Sequence, residues 1–306
     1  MRLSACVTTM NATQDLDACL RALWNSRVKP YSVIVSDDSP EDEVQQKNRQ
    51  VTERYPGTTY LTGPGSGLCA NRNNAVNAVI ETDLIAFIDD DLRLDTDFIA
   101  RAIEQYNQME PQQKNSTILS GVAYDGCGHE SVPLKLSLSG YFRPTEIPEV
   151  VTLHAGVFPR SFFEQEQWDE NIFIGQEDAE LSMRALKHNY RILHHPELKL
   201  FDSGTKAHSL DEASVGSLTE YKINKEAYRL YIGIKRYKQL FPNPWKLIAF
   251  IGLYSIRMPI YLLRQRSLKA LPEIIRRSNI RHLLQSSPSG ATDRKFNAAE
   301  DKALRQ

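Results

Sequence analysis

Short apolar runs alternate with longer segments whose apolar positions recur every three or four residues through the first part of the chain. Leu3–Thr8 has the length and character of a buried strand, and Asp15–Trp24 places Leu16, Cys19, Leu20 and Leu23 on one helical face. Tyr31–Val35 predicts a second strand, ending at Ser36-Asp37-Asp38-Ser39. A polar helix around Glu41–Tyr55 and a short strand near Thr59–Thr62 follow. Gly63-Pro64-Gly65-Ser66-Gly67 reads as a flexible loop opening a helix over Ala70–Ile80. The run Leu84-Ile85-Ala86-Phe87-Ile88 is again strand-like. Strands alternating with helices predict right-handed βαβ units and a largely parallel sheet.

In such a sheet the ligand sits beyond the carboxyl ends of the strands. Three polar clusters fall there: Thr8-Thr9, Asp37-Asp38 and Asp89-Asp90-Asp91. Three adjoining carboxylates cost Coulomb energy that a divalent cation removes, and hard oxygen ligands suit magnesium or manganese. The plainer reading of the triplet is an acidic, solvated turn. The loop at 63–67 could offer backbone N–H groups to a phosphate, but it matches neither the Walker pattern nor GxGxxG, and a plain loop is the simpler reading.

Residues 110–150, with Pro111, Pro133, Pro144 and Pro148, show little periodicity and predict an irregular excursion carrying one or two strands. Beyond it, Gly175-Gln176-Glu177-Asp178 leads into a helical pattern through Leu181, Arg184, Ala185 and Leu186. Glu177 or Asp178 could cap that helix; alternatively one of them is a general base at the lip of a pocket.

Charge changes the picture of the second half. The formal net charge of −1 hides 19 basic against 32 acidic residues over 1–215, and 18 against 6 over 216–306. This break marks an expected boundary near residue 215, with one domain at 1–215 and a basic, partly apolar helical extension at 216–306. The residues after about 286 are polar and read as disordered. Within the extension, Trp245–Leu263 is apolar almost all round, interrupted by Arg257 and Pro259. It reads either as a buried helix or as an interfacial segment on anionic lipid, its cations and aromatic residues favouring the second. No nucleic-acid recognition motif accompanies the positive charge. Cys6, Cys19, Cys69 and Cys127 form no CxxC pair and read as free thiols of a reducing compartment. No signal peptide is evident at the start. A cytoplasmic protein, peripheral on the cytoplasmic face of a membrane, is the expectation.

With these segments in order, the chain resembles glycosyltransferase family 2, inverting enzymes with the GT-A nucleotide-sugar fold. Cys6-Val7-Thr8-Thr9-Met10-Asn11 is similar to the family's opening strand, and Val33-Ile34-Val35-Ser36-Asp37-Asp38-Ser39 to its VVDDGS segment. Gly67-Leu68-Cys69-Ala70-Asn71-Arg72-Asn73 is similar to GxxxARN, and the aspartate triplet stands where the family has its DXD motif. Gly156-Val157-Phe158-Pro159-Arg160-Ser161 and Trp168-Asp169-Glu170 precede Glu177-Asp178 as the family's strand and acidic lead-in precede its ED motif. The resemblance covers about residues 1–208. Met10 departs from a usual aromatic residue. The strand near Leu198–Phe201 ends in Asp202 where members often carry a metal-binding His, and the next imidazole downstream is His208.

The resemblance implies an α/β GT-A fold: a Rossmann-like, mixed but mostly parallel sheet flanked by helices, with a C-terminal helical extension. It implies transfer of a sugar from a nucleoside-diphosphate sugar, UDP-type, to a glycan or lipid-linked saccharide, with manganese or magnesium as cofactor. Asp91 would bind the metal, supported by Asp89 and by His208 or Asp202. Thr8 and Asp38 would hold the base, Asp89 or Asp90 the ribose, and Arg72 the nucleotide or its phosphates. Asp178, with Glu177 as competitor, would take the acceptor proton. A nucleotidyltransferase, or a non-catalytic nucleotide-sugar-binding protein, is the alternative. The first lacks its Gly-rich, Lys-containing signature, and the second leaves two intact acidic motifs without a purpose.

Overall fold

A computed structural model describes residues 1–125, 127–203, 214–215 and 218–285. His208 and the polar tail after 286 lie outside the described residues. In chain order, β1 (Leu3–Thr9), α1 (Thr13–Asn25), β2 (Ser32–Asp37), α2 (Asp42–Thr52), β3 (Thr58–Thr62), α3 (Leu68–Asn77) and β4 (Leu84–Asp89) follow the predicted alternation. Next come β5 (Leu92–Leu94), α4 (Phe98–Gln108), the single turn α5 (Pro111–Lys114), β6 (Thr117–Tyr124) and a small hairpin of β7 (Leu134–Leu136) and β8 (Phe142–Pro144). Then β9 (Gly156–Pro159), α6 (Arg160–Gln165), α7 (Glu177–Lys187) and β10 (Arg191–Asp202) complete the main body. The C-terminal part contributes α8 (Glu220–Lys235), α9 (Pro244–Arg264) and α10 (Leu271–Arg277).

Eight strands form one sheet in the order β3-β2-β1-β4-β9-β6-β10-β5. The pairs β1–β2, β1–β4, β2–β3 and β6–β10 are parallel, whereas β9 is antiparallel to both its neighbours and β5 to β10. The segment 110–150 therefore carries more structure than its sequence suggested, since β6 is an inner strand. Ser120-Gly121 interrupts its apolar run. A Cβ at Gly121 would lie 2.2 Å from the Leu198 carbonyl oxygen, so close backbone approach of β6 and β10 requires the glycine that hides the strand.

Alternation along the strands feeds two cores. Leu84, Ala86 and Ile88 of β4 pack on one face with Leu16, Leu20, Phe98 and Ile99 of α1 and α4. Ile85 and Phe87 point to the other face, where they share a cluster with Phe158, Trp168, Ile223, Ala227, Ile234 and Phe250. The charge break near residue 215 is thus not a break in packing, because α8 closes the second face of the sheet. Charge fastens it as well: Lys235 Nζ lies 2.6 Å from both Asp169 and Glu180, and Arg277 bonds Glu220 and Asn224.

At the crossing of α8 and α9, Gly233 lies against the fully buried Phe250 ring, and a Cβ there would fall 2.0 Å from Phe250 Cζ. Gly233→Ala is expected to destabilise the protein by about 1–3 kcal/mol through overpacking, outweighing the gain in helix propensity. Thermal unfolding checks this; an unchanged or raised Tm would show that the ring has room to move.

Candidate active site

The parallel register brings the polar clusters to one edge. Thr8 of β1 pairs with Asp89 of β4, and Thr9 with Asp37 of β2. Each threonine hydroxyl then meets a carboxylate: Thr8 Oγ1 donates to Asp89 at 3.1 Å, and Thr9 Oγ1 to Asp90 at 2.6 Å. The three aspartates divide accordingly. Asp90 is fully buried and accepts from Thr9, so of the pair Asp89 and Asp90 it is Asp89 that is open to solvent. Asp89 and Asp91 remain partly exposed beyond the strand end. The Asp91 carbonyl accepts the Ser203 N–H at 3.0 Å, which sets the end of β10, with Asp202 paired opposite Leu92, beside the triplet.

Asp37 and Asp38 are also distinct. Asp37 is fully buried and accepts from Ser39, Asn48 and Tyr60, so it holds β2, α2 and β3 together. Asp38 is less enclosed and accepts the Gly65 N–H at 2.9 Å; its carboxyl is raised above the ordinary range, chiefly by burial. The glycine loop is therefore spent on protein acceptors. Gly63 N–H donates to the Asp37 carbonyl, Gly65 N–H to Asp38, and Leu68 N–H to the Phe173 carbonyl, which supports the plain-loop reading over a phosphate cradle.

Arg72 joins the two acidic motifs. The sequence reading gave it to the nucleotide, but its side chain is 1% exposed and lies between protein carboxylates. Nη1 reaches Glu177 at 3.0 Å and Nη2 reaches Asp89 at 3.2 Å, while the guanidinium sits 4.9 Å from the centre of the Trp168 ring. Burial alone would weaken its charge; Asp89 and Glu177 more than offset that and hold it protonated. Trp168 is itself fixed by Asn73, which accepts its N–H at 2.8 Å and donates to its carbonyl at 3.0 Å.

Glu177 and Asp178 arrive through two consecutive left-handed residues, Gly175 (φ 101°) and Gln176 (φ 65°), the second costly for a non-glycine residue. This turn aims Glu177 at Arg72, and Glu177 also accepts the Gly175 N–H at 2.8 Å. Asp178 makes no ion pair among the described residues; its carboxylate accepts only the Ala179 N–H at 2.7 Å. Burial, and then the neighbouring charge of Glu177, raise its pKa to about 6. The pair is thus separated into an ion-paired organiser and a carboxylate poised near neutrality.

His154 had no signal in the sequence. It lies on a single turn before β9, with Nδ1 3.2 Å from Asp89. Partial desolvation draws its pKa down, its side chain being 47% exposed, but the hydrogen bond and charge of Asp89 prevail and leave it raised. Exposed Phe173 and Tyr221 border the same region: Phe173 packs over Gly67, and Tyr221 lies beside Gly175. Only their spatial neighbours reveal them. As a donor set, the hard oxygens of Asp89 and Asp91 at a sheet edge fit a divalent cation, and the site's other charges, Arg72 and His154, favour an anionic ligand.

Comparison with known proteins agrees with this geometry. Residues 4–147 match the profile of Glycosyl transferase family 2. No curated protein sequence matches the chain. Among solved structures, residues 1–349 of S. aureus TarS in complex with UDP superpose with a TM-score of 0.54 at 14% identity, covering 82% of this chain and 71% of that one. GalNAc-T7 with UDP, GalNAc and Mn2+ gives 0.56 at 13% identity, covering 87% of this chain and 58% of that one. TarS 1–349 with UDP-GlcNAc gives 0.54 at 16% identity, covering 92% and 82%. These likenesses establish a shared GT-A fold, and with the match of residues 4–147 to Glycosyl transferase family 2 they show that the chain is a glycosyltransferase.

Proposed function

We propose that the protein is an inverting, metal-dependent glycosyltransferase that uses a nucleoside-diphosphate sugar, UDP-type, and a glycan or lipid-linked saccharide acceptor. The observation that carries this reading is the Arg72 bridge, which sets Asp89 of the triplet and Glu177 of the second motif on one buried guanidinium. The bridge supports this reading because it holds a carboxylate of the triplet close to the acidic pair that carries Asp178, as single displacement would require. The complexes of TarS with UDP and of GalNAc-T7 with UDP, GalNAc and Mn2+ support the choice of donor and cation.

Asp178 takes the proton of the acceptor hydroxyl while its oxygen forms a bond to the anomeric carbon. The bond from that carbon to the diphosphate oxygen breaks on the opposite side, inverting the configuration. Glu177, ion-paired with Arg72, orients the helix start, and its negative charge raises the basicity of Asp178. Asp38, whose backbone N–H donates to the Thr9 carbonyl, would accept an imide N–H of a uracil-type base. A divalent cation held by Asp91 and Asp89 would neutralise the charge developing on the leaving diphosphate. Thr8 and Thr9 hold Asp89 and Asp90 in place and, in this assignment, do not touch the base.

Hydrolysis of a panel of nucleotide sugars with and without a chelator tests the proposal. Cation-dependent release of a nucleoside diphosphate from one donor class is expected; release that survives complete chelation would refute the metal role. Asp91→Ala should weaken cation-dependent donor binding by about tenfold or more, measured by calorimetry, because it removes a proposed ligand. Unchanged binding would move the ligand role to another carboxylate.

A further inference from the structure

Helix α9 divides its apolar residues between two opposite faces. Phe250, Tyr254, Met258 and Leu262, spaced four apart, are buried; the Phe250 ring packs on Gly233 of α8, and Tyr254 donates to the Glu226 carbonyl at 3.2 Å. On the opposite side stand Trp245 at 80% exposure, Ile248 at 63%, Ile256 at 64% and Leu263 at 58%, with Ile260 beside them. At 100° per residue these five fall within one face, running the length of the helix. Lys246, Arg257 and Arg264 project along one edge of that stripe, are exposed, and make no ion pair among the described residues. Arg257 also donates to Ser139 Oγ at 3.3 Å, whereas Lys235, Arg236, Arg276 and Arg277 are paired with acidic side chains. The lipid-facing charge expected of the whole basic extension thus narrows to a defined row.

We propose that α9 lies flat in the interface of an anionic bilayer, with the stripe from Trp245 to Leu263 inserted and the row Lys246, Arg257 and Arg264 at the headgroups. A continuous apolar stripe open to solvent over 21 residues, about 31 Å of helix, is longer than isolated surface hydrophobes account for. The cationic edge selects the partner, because a protein groove need not be anionic whereas a lipid surface carrying acidic headgroups is. The terminal residues 286–306 are mostly polar, with Phe296 and Leu304 as their large apolar side chains. Length and composition would also permit a span. The inner stripe argues against one: crossing the bilayer would strip Phe250, Tyr254, Met258 and Leu262 from α8. Trp245, at the N-terminal end of the helix, is the aromatic anchor expected at the headgroup boundary.

The test uses the full chain with vesicles of mixed phosphatidylglycerol and phosphatidylcholine, and with phosphatidylcholine alone. Cosedimentation with the anionic vesicles, and quenching of Trp245 by brominated acyl chains that disappears in Trp245→Phe, are expected. The double variant Ile248→Glu/Ile256→Glu should lower partitioning about 100-fold or more. Each of Lys246→Gln, Arg257→Gln and Arg264→Gln should lower it about fivefold on anionic vesicles and little on neutral ones. Partitioning that the double glutamate variant leaves unchanged would overturn the inference. So would a vesicle-independent dimer that the same variant dissociates. Donor hydrolysis is measured in parallel: its retention without vesicle binding refutes the membrane inference alone, and its absence with intact vesicle binding refutes the glycosyl-transfer mechanism alone.

Discussion

Asp178→Asn is expected to lower turnover by roughly a thousandfold, within the range by which a positioned general base accelerates proton transfer, while donor affinity stays essentially unchanged. The asparagine is nearly isosteric and keeps the acceptor of the Ala179 N–H, so the loss reports the missing base and not a moved helix. The pH dependence follows from the raised pKa. Asp178 must be ionised to accept a proton, so kcat/KM should rise through about pH 6 and level off above it. The sign on stability is opposite. Because the folded-state pKa lies above the ordinary carboxyl value, the folded protein binds a proton below about pH 6 that the unfolded chain does not bind. The ionised form is therefore a destabilising element at neutral pH, relieved as pH falls through about 6. Asp178→Asn should accordingly raise Tm at pH 7–8, and that advantage should fade toward pH 5. A variant with near-normal turnover, or a wild-type profile with no limb near pH 6, would transfer the base role to Glu177. Glu177→Gln distinguishes the cases, because in the arrangement proposed here it disturbs Arg72 and lowers the pKa of Asp178.

Arg72→Met should be the most damaging single substitution in the site. It removes a fully buried guanidinium that serves both Asp89 and Glu177, and His154, 3.2 Å from Asp89, offsets only one of the two carboxylates. Breaking a buried pair in this way costs about 3–5 kcal/mol, because the remaining charges keep their desolvation penalty. Activity should fall at least about 100-fold beyond any loss of folded protein, since small displacements of positioned groups cost that much. Arg72→Lys is the informative control. Nη1 and Nη2 serve different carboxylates, and a single ammonium point charge cannot reproduce that fork. Lysine should recover much of the thermal stability but little of the turnover, measured on protein shown to be folded by circular dichroism. Full recovery of both would reduce Arg72 to a source of charge and remove the argument for a geometric bridge.

The division of the aspartates shows how much of the site was legible in advance. Six short segments in order were enough to recognise the family, because strand-end carboxylates and a helix-opening acid pair recur at characteristic places along such a chain. Their order did not show which carboxylate of each pair is turned inward. Asp90 and Asp37 are consumed by Thr9 and by Ser39, Asn48 and Tyr60, all partners that strand register or chain reversal brings into place. Arg72 and Glu177 are 105 residues apart. His154 carries no motif and becomes visible only once its turn approaches the end of β4.

The extension shows the same limit. Composition marked a break near residue 215, but burial runs across it, because apolar side chains of α8 find the open face of the sheet whatever the local charge. The sequence by itself determined the periodicities, the acidic strand ends and the family they resemble, since these depend on neighbours within a few residues. Tertiary structure alone decided which acids pair, that Arg72 serves both motifs, and that α9 presents a second apolar face. Hydrogen bonds, desolvation and burial are set by groups distant along the chain, so they are settled only when the sheet brings those groups together.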